Sequence, residues 1–217
     1  DLSGVGLGTA TEKFFYGRNA WPAQLPDFQP TVNEYYNELR KLAEILCRAF
    51  ALALELPENF FQDKIDKPLA QLRLLHYPSQ ESYVPGEAIG AGPHTDYGIV
   101  TILWQDKVGG LEVQTKNREW IKVPPLEGKF ICNIGDMMAR WTNDYWVATP
   151  HRVINTSGKE RYSAAMFFDP NYDCEIYPLP RFVSVENPAK YATVTMGQYL
   201  TKGFDETFGY RQGGESQ

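Results

Sequence analysis

Cysteine and histidine are scarce in this chain of 217 residues, which contains three of each. The three cysteines, Cys47, Cys132 and Cys174, are too few and too scattered for a disulfide framework, which favours a reducing, cytoplasmic location. No apolar run approaches the roughly 20 residues of a membrane-spanning helix, and no signal-peptide pattern opens the chain. The sequence therefore predicts no membrane partner.

An excess of positive charge is also absent. The net charge is −6 and the isoelectric point is near 5.2, which excludes nucleic acid and anionic membrane surfaces as expected partners. A small organic molecule is the expected partner, and an anionic one would need a local positive site. Nothing in the sequence indicates the oligomeric state.

The length fits a single domain with a sizeable core, and neither repeats nor low-complexity segments occur. We expect residues 1–68 to form an N-terminal helical part, 69–185 a jelly-roll core, and 186–217 a C-terminal helix and tail. Because the chain begins at Asp1 without a Met, we expect the N-terminal part to be incomplete.

Hydrophobic spacing predicts one long helix over residues 32–55, started by a capping box of Thr31 and Glu34. Pro57 can start a short second helix through Phe61, and residues 188–208 again have a helical pattern. The segments between them read as short strands: Leu72–Tyr77, Ile99–Trp104, Leu111–Gln114, Trp120–Val123, Phe130–Ile134, His151–Asn155 and Arg161–Phe168. This order predicts a mostly β fold with flanking α-helices, a β-sandwich or jelly roll.

Two of the three histidines fall into a metal-ligand pattern. His94-Thr95-Asp96 is followed by His151, and a His-x-Asp pair with a distant second His suits non-haem Fe(II), because it leaves open coordination positions. In a strand, residues i and i+2 share a face, so we expect His94 and Asp96 to point inward from one strand.

Less specific interpretations of the same residues stay open. An isolated His-x-Asp is more often a chance surface pair, and His151 alone could be a core histidine. Zinc could bind these ligands, although several open positions are unusual for structural zinc. We expect the third histidine, His76, to be no ligand, because it should face away from Tyr77.

A second pattern predicts a carboxylate site. Arg161 and Ser163 are two apart on a predicted strand, so a planar guanidinium and a hydroxyl can bind one carboxylate. Tyr77 is a third candidate donor. The alternative is an exposed Arg161 that pairs with Glu160. Together, the metal triad and the carboxylate site predict an oxygenase that uses Fe(II), 2-oxoglutarate and O2.

The chain also resembles the isopenicillin N synthase-like family of Fe(II)/2-oxoglutarate-dependent oxygenases. The matching segments are Arg73–Pro78, His94–Gly98, Gly109–Val113, Trp120–Pro125, Asn133–Asp136, Trp141–Asp144, His151–Val153 and Arg161–Ser163. The resemblance implies a double-stranded β-helix (jelly roll). It also implies that His94, Asp96 and His151 are the catalytic iron ligands, that Arg161 and Ser163 hold 2-oxoglutarate, and that Tyr77 assists.

Two departures from the family are visible. We expect residues to be missing near Val5–Thr9, and Tyr145–Ala148 is more apolar than the usual lead-in to the second histidine. The family implies oxidation of a C–H bond of a small metabolite, by default hydroxylation, with release of succinate and CO2. Two alternatives stay open: an Fe(II)/O2 oxidase that cyclises its substrate without 2-oxoglutarate, and a non-catalytic metal-binding jelly roll.

Overall fold

The computed structural model describes residues 15–17, 19–79 and 90–207, so the expected gap near Val5–Thr9 lies outside the described residues. The helices are α1 (Phe28–Ala53), α2 (Asp136–Trp141) and α3 (Met196–Thr207), with 3-10 turns at Gln62–Lys64 and Pro180–Phe182. The strands are β1 (Pro68–Tyr77), β2 (Gly90–His94), β3 (Val100–Gln105), β4 (Leu111–Gln114), β5 (Trp120–Lys122), β6 (Ile131–Ile134), β7 (His151–Ile154), β8 (Arg161–Asn171), β9 (Glu175–Ile176) and β10 (Val194–Thr195).

Two four-stranded antiparallel sheets form the body of the fold. Their strand orders are β1-β8-β3-β6 and β2-β7-β4-β5, and β9 and β10 form a small third sheet. Apart from the β4-β5 hairpin, strands adjacent in the two large sheets are distant in sequence, so the chain repeatedly crosses from one of these sheets to the other. This is the double-stranded β-helix, and the predicted jelly-roll fold is confirmed.

The main core lies between α1 and the outer face of the first sheet. A stripe of buried residues recurs every four positions along α1, at Leu39, Ala43, Cys47 and Ala51, which is the spacing of one helix face. It packs in one cluster with Met166 and Phe168 of β8. Because side chains alternate along a strand, the odd-numbered residues of β8 face the interior between the two sheets.

The start of α1 differs from the prediction. The helix begins at Phe28 after Asp27, which makes no side-chain cap hydrogen bond, and the N–H of Thr31 donates to the carbonyl of Asp27. The Thr31/Glu34 capping box is therefore wrong. Pro30 lies in the first turn of the helix, where its missing N–H needs no partner.

Two other helix predictions were also wrong. Residues 57–61 form turns rather than a second helix, and the only helical residues nearby in the described chain are Gln62–Lys64. The predicted helix over 188–208 begins only at Met196, because Val194 pairs with Ile176 as a strand. Cross-strand pairing outweighs local helical periodicity in this segment.

All seven predicted strands are present within a few residues of their expected ends. The strands β2, β9 and β10 were not in that set. No helix in residues 15–17, 19–79 and 90–207 has both the length and the apolar character to cross a membrane.

Candidate metal centre and carboxylate site

The three predicted metal ligands come together at one end of the second sheet. His94 is the last residue of β2 and lies opposite His151, the first residue of β7. Asp96 lies two residues beyond the end of β2, in the loop that leads to β3. The expectation that His94 and Asp96 share a strand is therefore wrong, because β2 ends at its pairing with β7. The loop nevertheless brings the carboxylate back to both rings.

Their donor atoms form a compact group. One ligand atom from each of the three residues lies within 4.8 Å of the others. The Oδ1 atom of Asp96 is 3.9 Å from Nε2 of His94 and 3.6 Å from Nε2 of His151. Asp96 is 5% exposed, whereas His94 is open to solvent. The group fits a metal ion that is held on one face and accessible from the other.

Hydrogen bonds to backbone carbonyls select the tautomer of both imidazole rings. Nδ1 of His94 lies 2.7 Å from the carbonyl oxygen of Gly92, and Nδ1 of His151 lies 3.1 Å from that of Thr149. A carbonyl oxygen can only accept a hydrogen bond, so each Nδ1 carries the proton. In the neutral tautomer that this contact selects, each Nε2 would offer its lone pair to a metal.

The carboxylate of Asp96 is oriented by a residue to which the sequence analysis gave no role. The side-chain amide of Asn133 on β6 donates to Oδ2 of Asp96 at 2.7 Å, which leaves Oδ1 towards the two histidines. Asn133 belongs to the family segment Asn133–Asp136, and that segment was the available signal. Asn133 therefore orients a candidate metal ligand through a hydrogen bond to its second oxygen.

The start of α2 holds the loop that carries Asp96. The N–H of Asp136 donates to the carbonyl of Asp96 at 2.8 Å, and the hydroxyl of Tyr199 on α3 donates to Oδ2 of Asp136 at 2.8 Å. A Cβ on Gly135 would lie 2.5 Å from the carbonyl oxygen of Gly98. The close approach of the two segments therefore requires glycine at position 135.

Arg161 is fully buried and its hydrogen-bond partners are neutral. Its Nε donates to the carbonyl of Gly109, and its terminal nitrogens donate to Oγ of Ser163 at 3.1 Å and Oε1 of Gln105 at 3.2 Å. The guanidinium carbon lies 4.7 Å from the ring centre of Tyr77. The structure brings together the three residues that were predicted for one site, Arg161, Ser163 and Tyr77. Gln105, which also contacts Arg161, was not predicted.

The alternative role for Arg161 does not fit this geometry. Glu160 is exposed and accepts a hydrogen bond from the hydroxyl of Tyr162 at 2.8 Å. In the described part of the chain no carboxylate is within hydrogen-bond distance of Arg161, and burial lowers the pKa of its guanidinium. A buried cation without an acidic partner is costly unless an anion binds it, so the site fits a carboxylate ligand.

His76 lies away from both sites. Its ring stacks on Tyr162 with 4.6 Å between ring centres, and its Nε2 is 3.6 Å from Oε2 of Glu160. Its strand neighbour Tyr77 contacts Arg161 on the opposite face. His76 is therefore outside the ligand group, as expected.

A family model for the 2OG-Fe(II) oxygenase superfamily matches residues 68–170. The 2-oxoglutarate-Fe(II) type oxidoreductase hxnY of Emericella nidulans is 37% identical over 198 residues, which cover 89% of this chain and 57% of that protein. The homoarginine-6-hydroxylase 2-ODD-C23 of Glycine max is 38% identical, with 87% of this chain and 59% of that protein covered.

A solved structure is similar in fold as well as in sequence. A full-length protein of Neurospora crassa, in complex with alpha-KG and thymine, superposes with a TM-score of 0.81 at 36% identity, covering 87% of this chain and 60% of that one. The chain belongs to the 2OG-Fe(II) oxygenase superfamily, as the sequence motifs predicted. Fe(II), 2-oxoglutarate and O2 are the cofactors that this membership implies.

The chain spans less than two thirds of the length of these relatives, 57% and 59% of the two proteins and 60% of the solved structure. Small molecules are the ligands named with the solved neighbours, such as the thymine bound with alpha-KG in the Neurospora crassa protein.

Proposed function

We propose that this protein is an Fe(II)- and 2-oxoglutarate-dependent dioxygenase that oxidises a C–H bond of a small organic metabolite. Hydroxylation is the default outcome, with release of succinate and CO2. The observation that carries the proposal is the buried guanidinium of Arg161, whose hydrogen-bond partners are neutral, so that it needs an anion. The same domain also contains the group of His94, Asp96 and His151, which could hold a metal ion.

In this proposal His94, Asp96 and His151 hold Fe(II), and the neutral Nε2 atoms and one carboxylate leave the remaining positions open. Arg161 and Ser163 bind the distal carboxylate of 2-oxoglutarate, and Tyr77 assists from beside the guanidinium. When bound, the iron with 2-oxoglutarate and O2 supplies the oxidising power. The chain itself holds the ligands and excludes water around Arg161.

Both sites open towards one interior, and the strand register supports this. Asn133, which orients Asp96, pairs with Thr101, and Thr101 pairs with Phe167 of β8. Phe167 and Arg161 are six residues apart on β8, so their side chains share a face. A ligand that bridges the metal group and Arg161 would therefore lie between the two sheets.

The finer expectations remain proposals. We propose one oxygenase domain over residues 1–217, with the N-terminal helical part, jelly-roll core and C-terminal helix divided as in the sequence analysis. A small-molecule substrate without nucleic-acid or membrane partners suits the acidic charge balance. A cytoplasmic location remains a prediction from the three free cysteines.

The test is an anaerobic titration with Fe(II), with and without 2-oxoglutarate, followed by visible charge-transfer absorption. We expect a band that needs both components and is lost in Arg161→Ala, while Arg40→Ala on the exposed face of α1 keeps it. Iron binding without the band would favour the oxidase alternative. No iron binding at all would contradict the enzyme assignment.

A further inference from the structure

The helix α3 lies against the loop that carries the metal ligand Asp96. Met196 and Leu200 bury one face of α3 in the main core, and their spacing of four residues is that of one helix face. Tyr199 and Gly203 have the same spacing, and they contact the surroundings of the metal group instead. None of the described residues of α3 belongs to the metal-ligand group itself, so any role of α3 at the metal is indirect.

Tyr199 reaches the loop through Asp136, the first residue of α2. Its hydroxyl donates to Oδ2 of Asp136 at 2.8 Å. Burial raises the pKa of Tyr199, and the charge of Asp136 raises it further, so the phenol keeps the proton that it donates. The N–H of Asp136 donates to the carbonyl of Asp96 at 2.8 Å. Asp136 thus accepts from α3 with its side chain and holds the metal loop with its backbone.

A second contact joins α3 to the residue that follows Asp96. The ring of Tyr97 lies edge-on to that of Tyr199, with 5.8 Å between ring centres. A Cβ on Gly203 would lie 3.0 Å from the ring and from the hydroxyl oxygen of Tyr97. The carbonyl of Tyr97 accepts a hydrogen bond from the N–H of Met137 at 3.0 Å. The loop is therefore held by α2 and α3 together.

A neighbouring tyrosine makes the same kind of hydrogen bond without reaching the loop. Arg140 of α2 lies over the rings of both Tyr199 and Tyr191, with its guanidinium carbon 5.5 Å and 4.6 Å from their centres. The hydroxyl of Tyr191 donates to Oδ1 of Asp144 at 2.6 Å, and Asp144 follows the C-terminal end of α2. The two tyrosines share a cation and each donates to a carboxylate, but only the bond from Tyr199 leads to the metal loop.

We infer that Tyr199 is a positioning residue for the metal ligand Asp96, and that docking of α3 and binding of the metal stabilise each other. This inference rests on the proposed function, because it requires a metal ion on the group of His94, Asp96 and His151. Coupling between two sites is reciprocal. If α3 holds Asp96 in place for the metal, a bound metal holds α3 in place to the same extent.

Fe(II) alone is the probe for the first half of the test, titrated calorimetrically without O2 and without 2-oxoglutarate. We expect Tyr199→Phe to weaken binding about three- to tenfold, as the loss of one hydrogen bond predicts. Tyr191→Phe is the matched control, because it removes the same group from the neighbouring ring, and it should keep the affinity. Equal losses in the two variants, or no loss in Tyr199→Phe, would overturn the inference.

Amide hydrogen exchange measures the reciprocal effect and separates positioning from a purely structural role. Each protein is measured without metal and with Fe(II) at the same multiple of its own Kd. We expect the metal to slow exchange in α3 of the unmodified protein and of Tyr191→Phe, and to slow it less in Tyr199→Phe. A residue that only stabilises the fold would change exchange equally with and without metal, and that result would contradict the inference.

Failure of the inference and failure of the proposed function give different results. If the unmodified protein binds no Fe(II), both are overturned. If it binds Fe(II) and forms the charge-transfer band with 2-oxoglutarate, but the two tyrosine variants behave alike, only the coupling between α3 and the metal is wrong.

Discussion

At the scale of single residues, the burial of Arg161 predicts a separation of binding from stability. Replacing Arg161 with Gln removes a charge whose desolvation is offset only in part by the nearby Tyr77 and Asp106. We expect the melting temperature of the ligand-free protein to stay the same or rise. Affinity for 2-oxoglutarate should fall about 10- to 100-fold, as the loss of a charge-assisted contact predicts. Thermal melting and the charge-transfer titration measure the two effects, and parallel losses would contradict the assignment.

Asn133 gives a second prediction at this scale. Asn133→Ala removes the amide that orients the Asp96 carboxylate, so we expect Fe(II) affinity to fall about 10- to 100-fold. Cys132→Ser is the control, because its side chain points to the other face of β6. An anaerobic Fe(II) titration of both variants is the measurement. Equal affinities would mean that Asp96 needs no support from β6.

At the scale of elements, the contact between α2 and the Asp96 loop depends on Gly135. In Gly135→Ala the added methyl would lie 2.5 Å from the carbonyl oxygen of Gly98 and 2.8 Å from that of Asp96. We expect the free energy of unfolding to fall by about 1–3 kcal/mol, as overpacking predicts, together with weaker Fe(II) binding. Urea unfolding and Fe(II) titration check both effects.

Gly92→Ala is the matched control for that substitution. A Cβ at Gly92 would meet nothing within 4 Å, so the same chemical change should leave stability and metal affinity nearly unaltered. If the two variants behave alike, the close contact at Gly135 is not what fixes the loop.

Sequence patterns predicted the elements whose signal is local and missed those that depend on distant partners. The helical periodicity of α1 and the strand character of β8 are local signals, and both elements were predicted, although the residues buried along α1 are mostly the smaller Ala43, Cys47 and Ala51. The strand β2 contains Gly90, Gly92 and Pro93, which disfavour strand structure, and it forms because it pairs with β7. Its end at His94 could not be predicted, so neither could the position of Asp96 beyond it.

The same reasoning explains the outcome for the candidate site. Residue type and spacing indicated His94, Asp96, His151, Arg161 and Ser163 and the chemistry they could support. The supporting contacts from Asn133 and Gln105 come from β6 and β3, whose registers against other strands no short motif encodes. They become visible only when the sheet is assembled.

At the scale of the whole molecule, Asp169 predicts how stability depends on pH. Burial, and then the charge of Asp96, raise the pKa of Asp169 from 3.8 to about 7. The folded state then binds more protons at Asp169 than the unfolded chain does between these values, so the contribution of Asp169 to stability is fully present below about pH 4 and is lost as the pH rises towards 7. Urea unfolding of the metal-free protein should show this contribution, and Asp169→Asn should remove it.

Fe(II) gives the matching control for that prediction. A cation on Asp96 offsets the negative charge that acts on Asp169, so the pH dependence should weaken when the metal is bound. A pH dependence that is the same in Asp169→Asn would show that other groups cause it.

The unequal exposure of the two imidazoles has a kinetic consequence for any ion held between them. Asp96 is enclosed, with its carboxylate held by β6, whereas the ring of His94 stands in solvent at the end of a short strand. Release of the metal would begin when that one ring turns away, long before the rest of the site opens. Chelators should therefore remove the metal at a rate set by how fast the exposed His94 ring turns away, while the fold stays intact.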